Sequence, residues 1–169
     1  APRSVSSERE TAGGNLDLAG ESIFNNQSGS LLSYGDLTLN ASKGVHLAGG
    51  RLAALNDLSL AAQENLFNNA DLHADRQVHL NVKKNLDNQK TITGGTDSHL
   101  GDASTGIRID ADSFDSGANS KLLSYGNLNI AVNQDMNLTG NIGSHGDIAI
   151  SGNGNITNNA DIHSDKLAA

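Results

Sequence analysis

The sequence contains no cysteine, no tryptophan and a single proline, and its aromatic rings are limited to two tyrosines and three phenylalanines beside the histidines. Without cysteine there are no disulfide bonds, so the fold must be held by packing and hydrogen bonds. With so few aromatic side chains, the core must be built from Leu, Ile, Val and Ala. No apolar run approaches the roughly 20 residues of a membrane-spanning helix, and no signal peptide is visible.

Positive charge is also scarce. The chain has 11 lysines and arginines against 19 aspartates and glutamates, which gives a formal net charge of −8. Binding to phosphate groups needs a basic surface, because the phosphate backbone is recognised largely through Lys and Arg. We therefore expect no nucleic-acid partner.

Glycine, asparagine and repeated words are abundant. The 169 residues include 19 glycines and 21 asparagines. The word LLSYGDLTL at 31–39 returns as LLSYGNLNI at 122–130, and NNADLHAD at 68–75 returns as NNADIHSD at 158–165. Such repetition at a fixed period is the signature of a repeat architecture.

Three columns of apolar residues recur at steps of about 20 residues, as expected for a solenoid repeat. The first column begins an apolar-x-apolar pair and contains Leu16, Leu37, Leu58, Val78, Ile107, Leu128 and Ile148. The second contains Ile23, Val45, Leu66, Leu86, Phe114, Met136 and Ile156. The third contains Leu31, Leu52, Leu72, Ile92, Leu122, Ile142 and Ile162.

Within each unit the apolar residues alternate with polar ones, as in Leu37, Leu39 and Ala41. A period of two is typical of strands, and the Gly, Asn and Asp residues between the short runs are typical of turns. The pattern predicts an all-β fold, a parallel β-helix of about seven coils with three short strands in each coil of about 20 residues. The alternative is an antiparallel sandwich, which also has short alternating strands but does not require three columns in register.

The repeat divides the chain into two parts. Residues 1–12 form a polar N-terminal leader, and residues 13–169 form a single β-helix domain. One repeat is about ten residues longer than the others, which predicts a loop insertion near 93–105. Cutting such a helix exposes unpaired strand backbone, so we expect the isolated chain to stack end to end unless another element covers one end.

The segments GNLDLAG (14–20), GDLTLNASKGVHLAGG (35–50) and GDIAISGNGNITNNADIHSD (146–165) resemble the haemagglutinin repeats of filamentous haemagglutinin-like exoproteins. The resemblance covers roughly residues 13–167. These exoproteins belong to bacterial two-partner secretion and include adhesins and contact-dependent growth inhibition effectors. The resemblance implies a right-handed β-helical stalk, secreted to the surface of a Gram-negative bacterium by an outer-membrane transporter. The family's secretion-domain motifs NPNG and NPNL do not occur, so we expect an internal segment of the stalk.

No motif predicts catalysis, a metal or a cofactor. Asp110, Asp112 and Asp115 suggest a calcium loop, but an EF-hand would need Gly at position 115 and Glu at position 121, where this chain has Lys. The histidines have no metal-binding spacing and there is no cysteine to complete a zinc site. An enzyme on a β-helix needs acids converging on a groove walled by long loops, and only one long loop is predicted. We therefore expect a protein that is not an enzyme.

Two regions of the surface are candidates for recognition. If Leu31 and its counterparts point inward, Leu32, Tyr34 and Leu55 form an exposed apolar strip, and Leu123 and Tyr125 form a second one. The long loop carries three polar residues that can cluster: Asp97, His99 and Asp102. The other interpretation is that apolar and aromatic residues simply suit strand surfaces. Two functions therefore remain open: a structural stalk that presents distal modules, or a segment that binds a glycan or a receptor on a host or target cell.

Overall fold

The computed structural model of this chain describes residues 4–165, and in that range the side chains of residues 4–12, Gln27 and His99 are not described. The described residues form one 17-stranded sheet in which every pairing is parallel. Away from the two ends, each strand pairs with strands of the preceding and following coils, so the sheet winds into a parallel β-solenoid of about seven turns. The predicted fold class is thereby confirmed, and the antiparallel sandwich is excluded.

The strands are β1 (Ser4–Ala12), β2 (Leu16–Gly20), β3 (Ser22–Ser33), β4 (Leu37–Ala41), β5 (Val45–Leu47), β6 (Arg51–Ala54), β7 (Leu58–Ala62), β8 (Leu66–Asn68), β9 (Asp71–Ala74), β10 (Gln77–Asn88), β11 (Thr91–Gly94), β12 (Gly106–Ser116), β13 (Lys121–Ser124), β14 (Asn127–Val132), β15 (Met136–Ser144), β16 (Ile148–Gly152) and β17 (Ile156–Ser164). They define three faces, which we call A, B and C. Face A contains β2, β4, β7, β14, β16 and the first halves of β10 and β12. Face B contains β5, β8, the second halves of β10 and β12, and the first halves of β3, β15 and β17. Face C contains β6, β9, β11, β13 and the second halves of β3, β15 and β17.

The three apolar columns predicted from the sequence lie in register along the three faces. On face A, Leu37 pairs with Leu58 and Leu58 pairs with Val78. The step across the longest repeat is kept as well, since Ile92 pairs with Leu122 on face C. Most of these side chains are fully buried, whereas the residues between them are partly or fully exposed. The core is therefore a stack of aliphatic rungs, each of which covers the next.

A second ladder, of asparagines, lies just after the face B column. Asn68 and Asn88 are fully buried, and the Asn68 Nδ2 atom donates to the Asn88 Oδ1 atom at 2.8 Å. Asn88 in turn donates to the Ser120 hydroxyl at 2.7 Å and to the Lys90 carbonyl at 2.8 Å. Buried amides need such partners, because a buried polar group without a hydrogen bond is costly.

Acidic and amide side chains also join the coils where face A begins. The Asp36 Oδ1 atom accepts from the backbone N–H of Asp57 at 3.1 Å, and the Asp57 Oδ1 atom accepts from that of Gln77 at 3.1 Å. The Asn127 Oδ1 atom accepts from the N–H of Asp147 at 2.9 Å in the same way. These bonds satisfy backbone donors at a corner where the strand ladder is interrupted.

The two ends of the solenoid differ. Strand β1, in the segment expected to be a polar leader, pairs with both halves of β3 and so lies over faces B and C of the first coil. Leu16 on face A of that coil is only half-buried. At the other end, Ile148 and Ile162 are half-buried and Ile156 is 46% exposed. Apolar side chains therefore remain accessible at both ends.

The long loop occupies the corner between faces C and A. Strand β11 continues to Gly94, so the loop contains residues 95–105, with a short 3-10 helix at Asp97–His99. The loop folds toward the next coil, where the Gly101 N–H donates to the Tyr125 carbonyl at 2.7 Å. Among the residues that the structure describes, no helix is long and apolar enough to cross a membrane.

Candidate binding surface

The first predicted strip lies on face C and its corner with face A. Tyr34 is 54% exposed and Leu55, one coil further, is 45% exposed, whereas Leu32 is half-buried. Ala53, which pairs with Leu32, is buried at this outward position. The strip is thus an exposed pair, Tyr34 and Leu55, beside a more covered row.

The second predicted strip has the same place four coils further along. Leu123 and Tyr125 are both half-buried. The Tyr125 ring stacks on the ring of His145, with centroids 5.2 Å apart. His145 also approaches Asp165, with Nδ1 and Oδ2 3.7 Å apart. With a coil rise of about 4.8 Å, the two strips lie about 19 Å apart along the same corner.

Beside the second strip the surface has a recess. Its volume is about 380 Å³, and it is lined by Lys121, Leu122, Leu123, Asn141, Gly143 and His163. Gly143 pairs with Leu123 on one side and with His163 on the other. The recess lies where an outward position on face C carries no side chain, and the imidazole of His163 extends over part of that position.

The three polar loop residues are placed differently from one another. Asp97 is exposed in the 3-10 helix, whose N-cap is Thr96. The Asp102 Oδ1 atom accepts from both the N–H and the hydroxyl of Ser104, each at 2.8 Å. The side chain of His99 lies outside the described residues. Hydrogen bonding to Ser104 gives Asp102 a role in the turn of the loop.

Two outward clusters were not predicted from the sequence. On face B, the rings of His46 and Phe67 stack with centroids 4.8 Å apart, and Phe24 precedes His46 in the same row. Each of these residues directly follows a residue of the second apolar column. Comparing the positions one residue after that column in successive repeats would therefore have identified them. Phe24 and Phe67 are separated by one coil, and their side chains line a shared recess of about 250 Å³.

The other unpredicted cluster lies on face A around Asp110. The Asp110 Oδ2 atom is 3.0 Å from the His79 Nε2 atom and accepts from the Arg108 Nε–H at 3.0 Å. Partial burial by itself would raise the pKa of Asp110, but the hydrogen bonds from His79 and Arg108 outweigh it and hold the pKa below its ordinary value. The cluster stabilises the charged form of Asp110.

Within the described part of the chain, no three acidic or histidine side chains come together as a metal site would require.

Comparison with known proteins gives one family. A model of the haemagglutinin repeat matches residues 11–123 and, in a second overlapping match, residues 103–166. The two matches together cover nearly all of the chain. No curated protein and no solved structure matches significantly.

Proposed function

Because this chain belongs to the haemagglutinin repeat family, we propose that it is a non-enzymatic stalk segment of a secreted bacterial adhesin or contact-dependent growth inhibition effector. Its work is to hold distal modules away from the cell that exports it. The observation that carries this proposal is the unbroken register of the three apolar ladders along the described part of the solenoid. Such a rod resists bending because every coil is hydrogen-bonded to both neighbours.

The proposal includes a route to the surface. Haemagglutinin repeats occur in exoproteins of two-partner secretion, so we place the parent protein on the surface of a Gram-negative bacterium, exported by an outer-membrane transporter. The fold suits this route, because short parallel strands joined by local corners can form coil by coil as the chain emerges. The absence of cysteine means that this assembly needs no disulfide formation.

A deletion in the parent protein tests the stalk. Removing residues 37–77, two whole coils, joins equivalent positions of face A and keeps the ladders in register. If the segment is a spacer, the shortened protein is exported, keeps the activity of its distal modules and reaches about 10 Å less far, from two coil rises of about 4.8 Å. Loss of attachment by a folded and exported deletion variant would contradict a spacer role for this segment.

The second candidate is recognition of a glycan or a receptor on a host or target cell. It is favoured by the exposure of Tyr34 and Leu55, because exposed aromatic and apolar residues mark binding surfaces when they lie together. Replacing Tyr34 and Tyr125 by Ser tests it. Reduced attachment to cells with unchanged folding supports recognition by these strips, and unchanged attachment contradicts it.

A further inference from the structure

Gly143 lies at the centre of a block of outward residues formed by the last three coils of face C. Lys121, Asn141 and Asp161 pair in one row, and Leu123, Gly143 and His163 pair in the next. The corner residues Tyr125, His145 and Asp165 form the third row, in which the backbone N–H groups of His145 and Asp165 donate to the coils before them. A residue without a side chain at the centre of eight others leaves a recess of about 380 Å³. This is within the range of about 300–1,000 Å³ that is usual for small-molecule sites.

The walls of the recess combine apolar and polar groups. Leu123 is the wall toward the preceding coil. The imidazole of His163 leans over the glycine, since its Nε2 atom lies 2.8 Å from the place where a Cβ atom on Gly143 would stand. Lys121 and Asn141 lie along one side and present an ammonium group and an amide. Sites for small ligands usually have this composition, an apolar wall with a few polar groups.

The charges select among ligands. The recess itself is lined by one charged side chain, Lys121, and the surrounding block adds Asp161 and Asp165 on a chain whose net charge is −8. Among the described residues, neither Lys121 nor Asp161 takes part in an ion pair. Both are therefore available to hydrogen-bond a ligand, one as a donor and the other as an acceptor. An anionic ligand would pair with Lys121 but would lie beside Asp161 and Asp165, whereas an uncharged ligand with several hydroxyl groups would use both Lys121 and Asp161.

We propose that this recess binds a single uncharged pyranose residue of a glycan. The ring places its C–H face against Leu123 and His163, and its hydroxyl groups meet Lys121, Asn141 and Asp161. This inference rests on the second candidate function and makes it specific. It does not bear on the stalk function.

The first copy of the repeated block has a side chain at its centre, and it has Ser30 and Arg51 where the second copy has Lys121 and Asn141. In the first copy of the repeated block, Ala53 has the place of Gly143, with Leu32 before it and His73 after it. The Nε2 atom of His73 is 2.8 Å from the Asp75 Oδ1 atom, so this imidazole is held toward the corner. The two blocks thus differ at their centres by one methyl group, which makes Ala53 the control position for Gly143.

The test is an NMR titration of the whole chain with methyl glycosides of glucose, galactose, mannose and N-acetylglucosamine, and with glucuronate and N-acetylneuraminate. We expect at least one neutral glycoside to shift the amide signals of residues 121–123, 141–143 and 161–163, with a dissociation constant on the order of 1 mM, as weak small-ligand binding gives. Gly143→Ala puts a methyl group into the recess and displaces the His163 imidazole, whose Nε2 atom lies 2.8 Å from the place of the new Cβ atom. This variant should therefore weaken the binding at least tenfold, and Ala53→Gly should leave it unchanged. Gly143 has no positive φ, so alanine suits its backbone, and a thermal melt of each variant checks the fold.

Four results would overturn the inference: no shifts with any sugar, shifts with the acidic sugars alone, equal binding by Gly143→Ala, or shifts confined to the surroundings of Tyr34 and Leu55. The last result would support glycan recognition by this chain, but at the first strip and not at the recess. If no sugar shifts any signal, the attachment assay with Tyr34→Ser and Tyr125→Ser still decides whether the strips bind another receptor.

Discussion

Replacing Asn88 with alanine tests whether the asparagine ladder stabilises the stack of coils. The Asn88 side chain is fully buried and makes three hydrogen bonds, to the Asn68 amide at 2.8 Å, the Lys90 carbonyl at 2.8 Å and the Ser120 hydroxyl at 2.7 Å. Each bond of this kind contributes about 1 kcal/mol net, and more is lost when the partner stays buried without a replacement. We therefore expect Asn88→Ala to lower the free energy of unfolding by about 3–4 kcal/mol.

The assay is urea unfolding followed by circular dichroism. With a denaturant slope of about 2 kcal/mol/M, the expected loss lowers the urea midpoint by roughly 1.5–2 M without changing the slope. Asn129→Ala is the control, because Asn129 is an exposed asparagine on a strand of face A. Surface substitutions of this kind usually change stability by less than about 0.5 kcal/mol.

A leucine at the same position separates hydrogen bonding from the filling of space. Leu47 and Leu138 occupy the equivalent inward place in other coils, so the backbone of the ladder accepts leucine. Asn88→Leu fills the space of the asparagine but removes its hydrogen bonds to the Asn68 amide and the Ser120 hydroxyl. If these hydrogen bonds stabilise the fold, the leucine variant is less stable than the parent chain by at least about 2 kcal/mol. A leucine variant as stable as the parent chain would refute the reasoning.

Three further predictions concern charge, the loop and the ends. The pKa of Asp110 is lowered in the folded state, so its charged form adds stability above the unfolded pKa of about 3.9, and this stability is lost as the pH falls through the lower folded value. Asp110→Asn should therefore reduce the fall in melting temperature as the pH is lowered. An unchanged fall would show that the cluster around His79 does not contribute. A Cβ atom at Gly126 would stand 2.2 Å from the Thr105 carbonyl oxygen, so Gly126→Ala should release the loop and speed its proteolysis between 97 and 104. Gly152→Ala is the control, because its Cβ atom would have no neighbour closer than 3.4 Å, and it should leave the proteolysis unchanged. Ile156→Lys places charge on the exposed end and should reduce any concentration-dependent association seen by light scattering, and equal association by both proteins would exclude this end as the contact.

The inner wall of the fold could be predicted from the sequence, and the outer surface only in part. Leu37, Leu58 and Val78 repeat because each must cover the rung below it, and a repeated physical requirement leaves a repeated pattern. The direction of Tyr34 and Leu55 followed from the same alternation.

The arrangement of the exposed side chains depends on contacts between neighbouring coils, and the 20-residue period of the sequence does not specify these contacts. The stacking of Tyr125 on His145 depends on rotamers, and the docking of the loop depends on one bond from the Gly101 N–H to the Tyr125 carbonyl. Strand β1 has one apolar residue in register with the columns, Val5 opposite Ile23, but it has Glu10 opposite Leu31, so its place follows from its pairing with β3 and not from an apolar pattern. Sequence patterns report burial well, and they report which exposed groups meet much less well.

The repeated words show how this fold separates stability from recognition. Between the two blocks, the three inward columns stay apolar, as at Leu31 and Leu122 or Leu52 and Ile142, because a smaller residue there opens a cavity. Some outward positions are kept, as Tyr34 and Tyr125 or His73 and His163 are. Others differ: Ala53 in the first block corresponds to Gly143 in the second, and Leu55 to His145, without any change in the pairing of the strands. An outward residue on this scaffold can therefore change at little cost in stability, and each coil adds new outward positions at a fixed spacing. A binding surface can arise on such a stalk wherever two or three neighbouring coils present suitable side chains, and the stalk continues to work as a spacer.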